Sequence, residues 1–287
     1  MRDAHDVVVT RDVSYRRVDG TDLLVDLYRP QGVSSGPAIV YVHGGAWLMG
    51  DRTEFADRFQ ALAAAGIAVA SIEYRTINLG SYPAQRDDIL GAVEWLAQHG
   101  PEHGYTPDAV VLMGASAGAH LSALSMLAAP GSVAGFVGLF GRYDLTAAGA
   151  AAKPASHLQI PDVVRLSVPP AGFEGLDQRA KLALLAGVNT GELTETVLAS
   201  ISPITHVHDG APPVLLLSGT ADAMVHHTHA LRFAEALVTA GTREEISVTL
   251  VPGANHEDPV FADAASINVI ASFVHRCAAR VPARSYS

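Results

Sequence analysis

Residues 110–121 read VVLMGASAGAHL, an apolar run that leads into small residues around Ser116. The pattern G-x-S-x-G between a strand and a helix predicts a sharp turn that holds the serine hydroxyl above the edge of a sheet. The strand and the helix pass close together in such a turn, so the flanking positions must be small, and Gly114, Ala117 and Gly118 satisfy this demand. Ser116 is therefore the candidate nucleophile.

Short, mostly apolar runs alternate with helix-like segments on both sides of this turn. Strands without a polar face are typical of a parallel sheet that is covered by helices on each side. The sequence therefore predicts an α/β protein with a doubly wound, mostly parallel sheet. The predicted strands are residues 38–42, 67–72, 109–113, 133–140, 213–217 and 246–251, and the predicted helices are 55–65, 84–98, 121–128, 229–240 and a closing helix after Asp258.

Two segments depart from this alternation. Residues 13–18 and 23–28 alternate in polarity around Asp19-Gly20, which predicts an antiparallel hairpin before the parallel strands. Residues 144–210 contain several prolines and helix-like pieces near 177–186 and 192–200. Because a structureless loop of this length is improbable in a compact domain, we interpret 144–210 as a helical lid or cap insertion. It lies within a single domain spanning residues 1–287, a length that α/β folds hold in one domain.

A serine hydroxyl needs a base, and the base needs a carboxylate to orient it. In chains with this serine turn the order is Ser, Asp or Glu, then His, each on a loop after a later strand. Asp222 ends the loop SGTAD and His256 ends the loop PGANH, each directly after a predicted strand. We therefore predict a triad of Ser116, Asp222 and His256. Asp144 also follows a strand, but it precedes the insertion and is the weaker alternative for the acid.

A second glycine-containing segment, HGGAW at residues 43–47, follows the first core strand and is called the glycine loop below. Adjacent glycines let the backbone turn its N–H groups toward a developing oxyanion. We predict the N–H groups of Gly45 and Ala46 as donors, with Gly44 as a hinge. The N–H of Ala117, at the start of the helix, is the predicted third donor.

For the remaining histidines and the tryptophan of the glycine loop, the sequence indicates structural roles. His43 is expected to hold the glycine loop by hydrogen bonds, and Trp47 to anchor it by packing. His226, His227 and His229 are close in sequence, but no carboxylate or cysteine is spaced to complete a metal site with them. We predict no metal and no other cofactor.

The composition of the chain excludes some classes of binding partner. The net charge of −10 argues against a nucleic-acid partner and gives no support for docking on an anionic membrane. The chain has one cysteine, Cys277, which excludes an intrachain disulfide and is expected to be buried and idle. Residues 1–6 lack an apolar signal-peptide core, and the most apolar stretch, 61–72, is too short to span a membrane. The sequence thus favours a cytoplasmic monomer or homodimer.

These motifs together resemble the α/β-hydrolase carboxylesterases, above all the feruloyl/acetyl esterase-like group close to hormone-sensitive lipase. The motifs are HGGAW, GASAG, GTAD and GANH, with YR at 74–75 and YPAQ at 82–85, and the resemblance covers about residues 20–279. It implies the α/β-hydrolase fold and the same triad. Ala46 departs from the glycine of the group's HGGG loop. The hairpin leaves too little chain for the N-terminal cap helices of hormone-sensitive lipases, so any lid comes from 144–210.

The resemblance implies a serine carboxylesterase that hydrolyses short- to medium-chain acyl esters, or acetyl or feruloyl-type esters, through an acyl-enzyme. Its partner would be a small-molecule ester. Kynurenine formamidases share the HGGxW loop, so a formamidase-like amidase is the first alternative. A catalytically inactive ligand receptor on the same fold is the second, although such receptors lack the histidine that this chain has as His256.

Overall fold

The structure, a computed structural model, describes residues 5–150 and 169–281. Within these ranges eight strands form one sheet, and the helices lie between the later strands and after the last one along the chain. The strands are β1 Val7–Val18, β2 Thr21–Pro30, β3 Ser35–Val42, β4 Ala68–Ile72, β5 Thr106–Ala115, β6 Gly135–Leu139, β7 Val214–Gly219 and β8 Ile246–Val251. The helices are α1 Ala56–Ala64, α2 Tyr82–His99, α3 Ala117–Ala128, α4 Ala147–Ala150, α5 Gln178–Ala186, α6 Glu195–Ser200, α7 Thr228–Thr239 and α8 Ala264–Arg280, with short 3-10 helices at Gly100–His103, Thr190–Glu192, Pro203–Thr205 and Pro259–Ala262.

The sheet has the order β1-β2-β4-β3-β5-β6-β7-β8. The strands β1 and β2 pair antiparallel, as the hairpin prediction required, and β2 pairs antiparallel with β4. The remaining neighbours are parallel. Because β3 lies between β4 and β5, the connection from β3 to β4 runs toward one edge of the sheet, and the connection from β4 to β5 crosses to the other side of β3. The loops after β3 and β5 therefore adjoin, at the kind of switch point where α/β sheets bind ligands.

Alternate residues of the central strands enter two separate cores, as a doubly wound sheet requires. In β3, Val40 packs in the core that α2, α3 and α7 cover. Its neighbour Tyr41 packs in the opposite core with Phe59 of α1 and Phe273 of α8. Cys277 is buried in this second core, as expected, and burial raises the pKa of its thiol to about 12. The thiol is therefore un-ionised and inert near neutrality.

The insertion is described only in part, because residues 151–168 of the predicted 144–210 lid lie outside the described residues. The helices α5 and α6 form where helix-like pieces were predicted, and α6 begins three residues later than the predicted piece. Asp177 and Thr194 cap them by accepting hydrogen bonds from the first-turn N–H groups. Near its end the segment is tied to the loop after β6, where Ile204 N donates to the carbonyl oxygen of Tyr143 at 3.0 Å. No helix in the described ranges is long and apolar enough to cross a membrane.

Candidate active site

Ser116 occupies the single residue between β5 and α3. Its backbone has φ 53° and ψ −116°, a strained state for a residue with a side chain. The turn brings α3 against β3 so closely that a Cβ on Gly118 would overlap the carbonyl oxygen of Val42. A Cβ on Gly114 would overlap the backbone of Gly118 in the same way. The predicted demand for small residues around the serine is thus confirmed, and the demand comes from backbone contacts.

Ser116, Asp222 and His256 come together in one hydrogen-bonded chain. The Oγ of Ser116 lies 2.9 Å from Nε2 of His256, and Nδ1 of His256 lies 2.7 Å from Oδ2 of Asp222. The side chains of His256 and Asp222 are buried. Since an ionised carboxylate only accepts, Nδ1 of the imidazole donates to Asp222, and Nε2 is left to accept the serine proton. This order of donors can move a proton from serine to histidine.

The acid and histidine loops are held against each other by Asn255. Its Oδ1 accepts hydrogen bonds from the N–H of His256 at 2.8 Å and from the N–H of Ala223 at 2.9 Å. The second carboxylate oxygen of Asp222 accepts from Val225 N at 2.7 Å and from Met224 N at 2.8 Å. Hydrogen bonds from backbone N–H groups to side-chain oxygens therefore fix both loops. Asp222 is held in place by these bonds, and it in turn fixes the orientation of the imidazole.

Asp144, the alternative acid, is engaged elsewhere. Its Oδ2 lies 2.8 Å from a terminal guanidinium nitrogen of Arg232, and its Oδ1 accepts from the N–H and hydroxyl of Thr146. The acid position next to His256 is filled by Asp222. The loop after β6 instead contributes Phe140, whose ring packs edge-on at 4.8 Å from the imidazole of His256.

The glycine loop makes a tight turn in left-handed backbone. Gly45 has φ 104°, and Ala46 and Trp47 follow at 53° and 64°. A Cβ on Gly45 would overlap the backbone of Met49, so a glycine is obligatory there. The left-handed run starts at Gly45, one residue later than the hinge that we predicted at Gly44. Ala46 accepts the conformation although it carries a methyl group, which is strained for a residue other than glycine.

The glycine loop, which carries two of the three predicted donors, runs past the nucleophile turn. The position of a Cβ on Gly44 would be 3.2 Å from the carbonyl oxygen of Ala115 and 3.4 Å from Cβ of Ser116, so the glycine loop passes directly beside the serine. Within residues 5–150 and 169–281, the N–H groups of Gly45, Ala46 and Ala117 have no hydrogen-bond acceptor. Donors that stay unoccupied beside a candidate nucleophile are available to an oxyanion.

His43 is buried beneath the glycine loop, as expected of a structural residue. Its Nδ1 lies 2.8 Å from the carbonyl oxygen of Gly44, and burial lowers the pKa of its imidazole to about 4. The ring stacks at 4.4 Å on Tyr74, whose hydroxyl donates to the His43 carbonyl at 3.1 Å. The neutral imidazole thus holds the first turn of the loop, and the tyrosine of the YR dipeptide holds the imidazole.

His120 is a site residue that sequence reasoning missed. Nε1 of Trp47 donates to its Nδ1 at 3.1 Å, and its Nε2–H donates to the carbonyl oxygen of Ile201 at 2.7 Å. Burial lowers the pKa of His120 to about 4, so the ring stays neutral. The available signal was its position four residues after Ser116, which puts both on the same side of α3.

No group of three or more metal-ligating side chains is present in the described part of the chain. His226 and His227 precede α7, and His229 is buried in its first turn. The rings of His226 and His227 lie 4.1 Å apart. These histidines surround the start of the helix that follows the Asp222 loop.

The strand order together with the strained serine turn after β5 defines the α/β-hydrolase fold. The BD-FAE family model matches residues 25–237, and the chain therefore belongs to the BD-FAE family. The family match includes the glycine loop, the serine turn and Asp222, and it ends before His256.

Individual relatives agree with this placement. Esterase LipQ of Mycobacterium tuberculosis is 28% identical over 263 residues, which are 86% of this chain and 56% of LipQ. The chain thus spans little more than half the length of this curated relative. A truncated carbohydrate esterase from gut microbiota superposes with a TM-score of 0.75 at 21% identity, covering 98% of this chain and 99% of its own. An esterase of Thermogutta terrifontis gives 0.68 at 23%, covering 99% and 95%. At these identities the two structures show the shared fold.

Proposed function

We propose that this chain is a serine carboxylesterase that hydrolyses short- to medium-chain acyl esters, including acetyl or feruloyl-type esters, through an acyl-enzyme. The observation that carries the proposal is the continuous chain of hydrogen bonds from Ser116 through His256 to Asp222. Buried side chains in this order are the arrangement that activates a serine hydroxyl for acyl transfer. The esterase names of LipQ and of the two structural neighbours support the same chemistry.

In the first half-reaction Ser116 attacks the ester carbonyl carbon while Nε2 of His256 takes the hydroxyl proton. The C–O double bond becomes a single bond, and its electron pair goes to the oxygen as a negative charge. Asp222 stabilises the imidazolium that forms, without itself becoming protonated. When the tetrahedral intermediate collapses, His256 returns the proton to the leaving alcohol, and the acyl group stays on Ser116.

The oxyanion would be held by the N–H groups of Gly45, Ala46 and Ala117. Loss of one such donor costs about 3 kcal/mol of transition-state stabilisation in comparable sites. The N-terminal end of α3 adds a partial positive charge at the same place. The three N–H donors are in position before the substrate arrives, because the strained turns at Ser116 and Gly45 are part of the folded backbone.

In the second half-reaction water replaces the alcohol. His256 removes a proton from this water, the hydroxide attacks the acyl carbon, and Ser116 leaves as the protonated alcohol after a second tetrahedral intermediate. The products are a carboxylic acid and the free enzyme. Side chains of this chain perform every proton transfer, and the nucleophile is regenerated.

We also propose that residues 144–210 form a lid or cap within a single domain spanning 1–287. Support comes from the described part, since the carbonyl oxygen of Ile201 accepts a hydrogen bond from His120 one turn beyond Ser116. An insertion that contacts the helix of the nucleophile is placed to line the substrate pocket. The cytoplasmic location and the monomeric or homodimeric state stay predictions from the sequence.

The test is an acyl-chain series on the purified protein. We expect p-nitrophenyl esters from acetyl to octanoyl to be hydrolysed, with Ser116→Ala reducing kcat at least about 10⁴-fold. A structure of a T. terrifontis esterase was solved phosphonylated by sarin, so an organophosphonate should add one phosphonyl group to this protein and none to Ser116→Ala. Equal hydrolysis by wild type and Ser116→Ala would disprove the mechanism. Turnover of an N-formyl arylamide with all esters inert would favour the formamidase alternative.

A further inference from the structure

The loop after β6 carries an arginine that the reaction above does not use. Arg142 lies two residues after Phe140, whose ring contacts His256. It is half-buried, and its Nε is buried without a hydrogen-bond partner among the described residues. A buried guanidinium nitrogen without an acceptor is rare in native proteins and calls for an explanation.

The carboxylate whose charge acts on Arg142 is Asp144. The oxygens of Asp144 are already bound by Arg232 and by Thr146, and Asp144 makes no direct ion pair with Arg142. Burial lowers the pKa of Arg142, and Asp144 offsets this effect only from a distance. Burying a guanidinium without a direct partner costs free energy, which a folded protein tolerates more readily where the charge has a use.

A buried nitrogen of His229 also lacks a partner within the described ranges. This side chain is only 4% exposed, and its Nδ1 has no hydrogen-bond partner in the described part of the chain. Burial, together with the charge of Arg142, lowers the pKa of His229 to about 4. The charge of Arg142 acts on His120 in α3 as well. Arg142 itself follows the carboxyl end of β6, at the edge of the sheet that carries the site.

We propose that Arg142 and His229 form a subsite for a carboxylate of the substrate, so that this enzyme prefers esters that carry a free acid group. The inference rests on the proposed esterase function and names its substrate class. A guanidinium presents paired N–H donors that match the two oxygens of a carboxylate. An imidazole N–H can supply a further donor. The bound carboxylate would supply the partner that Arg142 lacks, and charge-assisted hydrogen bonds are strong in such a partly desolvated place.

The test compares esters of matched length with and without the acid. On the acyl side, monoethyl adipate is compared with ethyl hexanoate; on the alcohol side, acetoxyacetic acid is compared with ethyl acetate. Hydrolysis is followed by chromatography of the products at pH 7.5. We expect kcat/KM to be at least about tenfold higher for the acid-bearing ester in one of the two pairs, the gain of one charge-assisted hydrogen bond of about 1.5 kcal/mol or more.

Substitution then assigns the preference to Arg142. Arg142→Met should lower kcat/KM for the acid-bearing ester by about 10- to 100-fold and leave the neutral ester within about threefold. Arg142→Lys keeps the charge without the paired donors and should retain part of the preference. Arg280→Met is the matched control, since Arg280 is an exposed arginine of α8 that pairs with Glu244. Melting curves of each variant check the fold.

The outcomes separate the two proposals. If wild type hydrolyses the neutral esters as fast as the acid-bearing ones in both pairs, the subsite is disproved and the esterase function stands. The subsite is also disproved if folded Arg142→Met loses activity equally on both classes. If no ester of either class is hydrolysed, the esterase function has failed and the subsite falls with it.

Discussion

The indole N–H of Trp47 donates a hydrogen bond to Nδ1 of His120 over 3.1 Å, which joins the glycine loop to the helix of the nucleophile. The other imidazole nitrogen of His120 donates to the Ile201 carbonyl at 2.7 Å. The glycine loop, α3 and the insertion therefore share one buried imidazole. A neutral imidazole suits this position because it donates at one nitrogen while it accepts at the other.

Trp47→Phe should weaken catalysis more than binding. The substitution removes the indole N–H and leaves Nδ1 of His120 buried without a donor, which costs about 1–3 kcal/mol of stability. Freed from its anchor, the glycine loop would hold its donors less accurately, so we expect kcat to fall about tenfold with KM changed less than about threefold. Trp95→Phe is the control, because Trp95 stacks on His99 in α2. Unchanged kcat in folded Trp47→Phe would contradict the anchoring role.

Substitution of the two buried aspartates at the carboxyl edge of the sheet should affect kcat very differently. Asp222 and Asp144 are each 2% exposed, which makes them a matched pair. Asp222→Asn should lower kcat about 10⁴-fold, because an amide no longer selects the imidazole tautomer that accepts from serine. Asp144→Asn should keep kcat within about tenfold while it lowers the melting temperature, since it loses the Arg232 ion pair. The reverse ranking of the two kcat values would make Asp144 the acid.

Glu54 should make the protein less stable as the pH rises. Burial, with the nearby charges of Glu257 and Asp51, raises the pKa of Glu54 from 4.5 to about 7 in the folded protein. The unfolded chain gives up this proton near pH 4.5, whereas the folded protein keeps it until about pH 7. Stability from this group is therefore complete below about pH 4.5 and is lost as the pH rises through 7.

Glu54→Gln removes this dependence. Relative to wild type, the variant should raise the free energy of unfolding in urea at pH 8 and change it little at pH 4.5. Glu102→Gln, at an exposed position, should leave the difference between the two pH values as in wild type. An equal effect of Glu54→Gln at both pH values would show that its ionisation is not linked to folding.

Gly118→Ala should destabilise the fold because α3 has no room for a methyl group against β3. The new Cβ would overlap the backbone of Val42 and His43, which are not flexible side-chain ends. Overpacking of this kind costs about 1–3 kcal/mol or more. Gly191→Ala is the control, since a Cβ there meets no atom within 4 Å. Urea unfolding at pH 7.5 compares the two, and equal stability of both variants would contradict the close approach.

Much of the fold followed from local pattern. The apolar runs predicted every parallel strand to within a few residues, because a strand buried on both faces must be apolar throughout. Asp19-Gly20 predicted the hairpin, because a tight turn needs positive φ, and both residues have it. The spacing of GASAG predicted the strained serine for the same kind of reason, since few residue types fit so tight a turn.

Contacts between residues far apart in the chain could not be predicted from local sequence patterns. Asp88 early in α2 is an example, because this buried side chain pairs with Arg75 at 2.8 Å. Nothing in the local pattern joins these two residues. His120 was missed for the same reason, since its partners Trp47 and Ile201 lie 73 and 81 positions away.

Chain order and backbone strain are local properties, so the amino-acid sequence was enough to predict the order of strands and helices and the candidates Ser116, Asp222 and His256. The tertiary structure adds the contact of His256 with Asp222, the left-handed run that starts at Gly45, and the position of Arg142 without a direct carboxylate partner among the described residues. Those outcomes depend on loops from β3, β5, β6, β7 and β8 meeting at one edge of the sheet. Proximity there is set by strand pairing and packing, which no single stretch of sequence encodes.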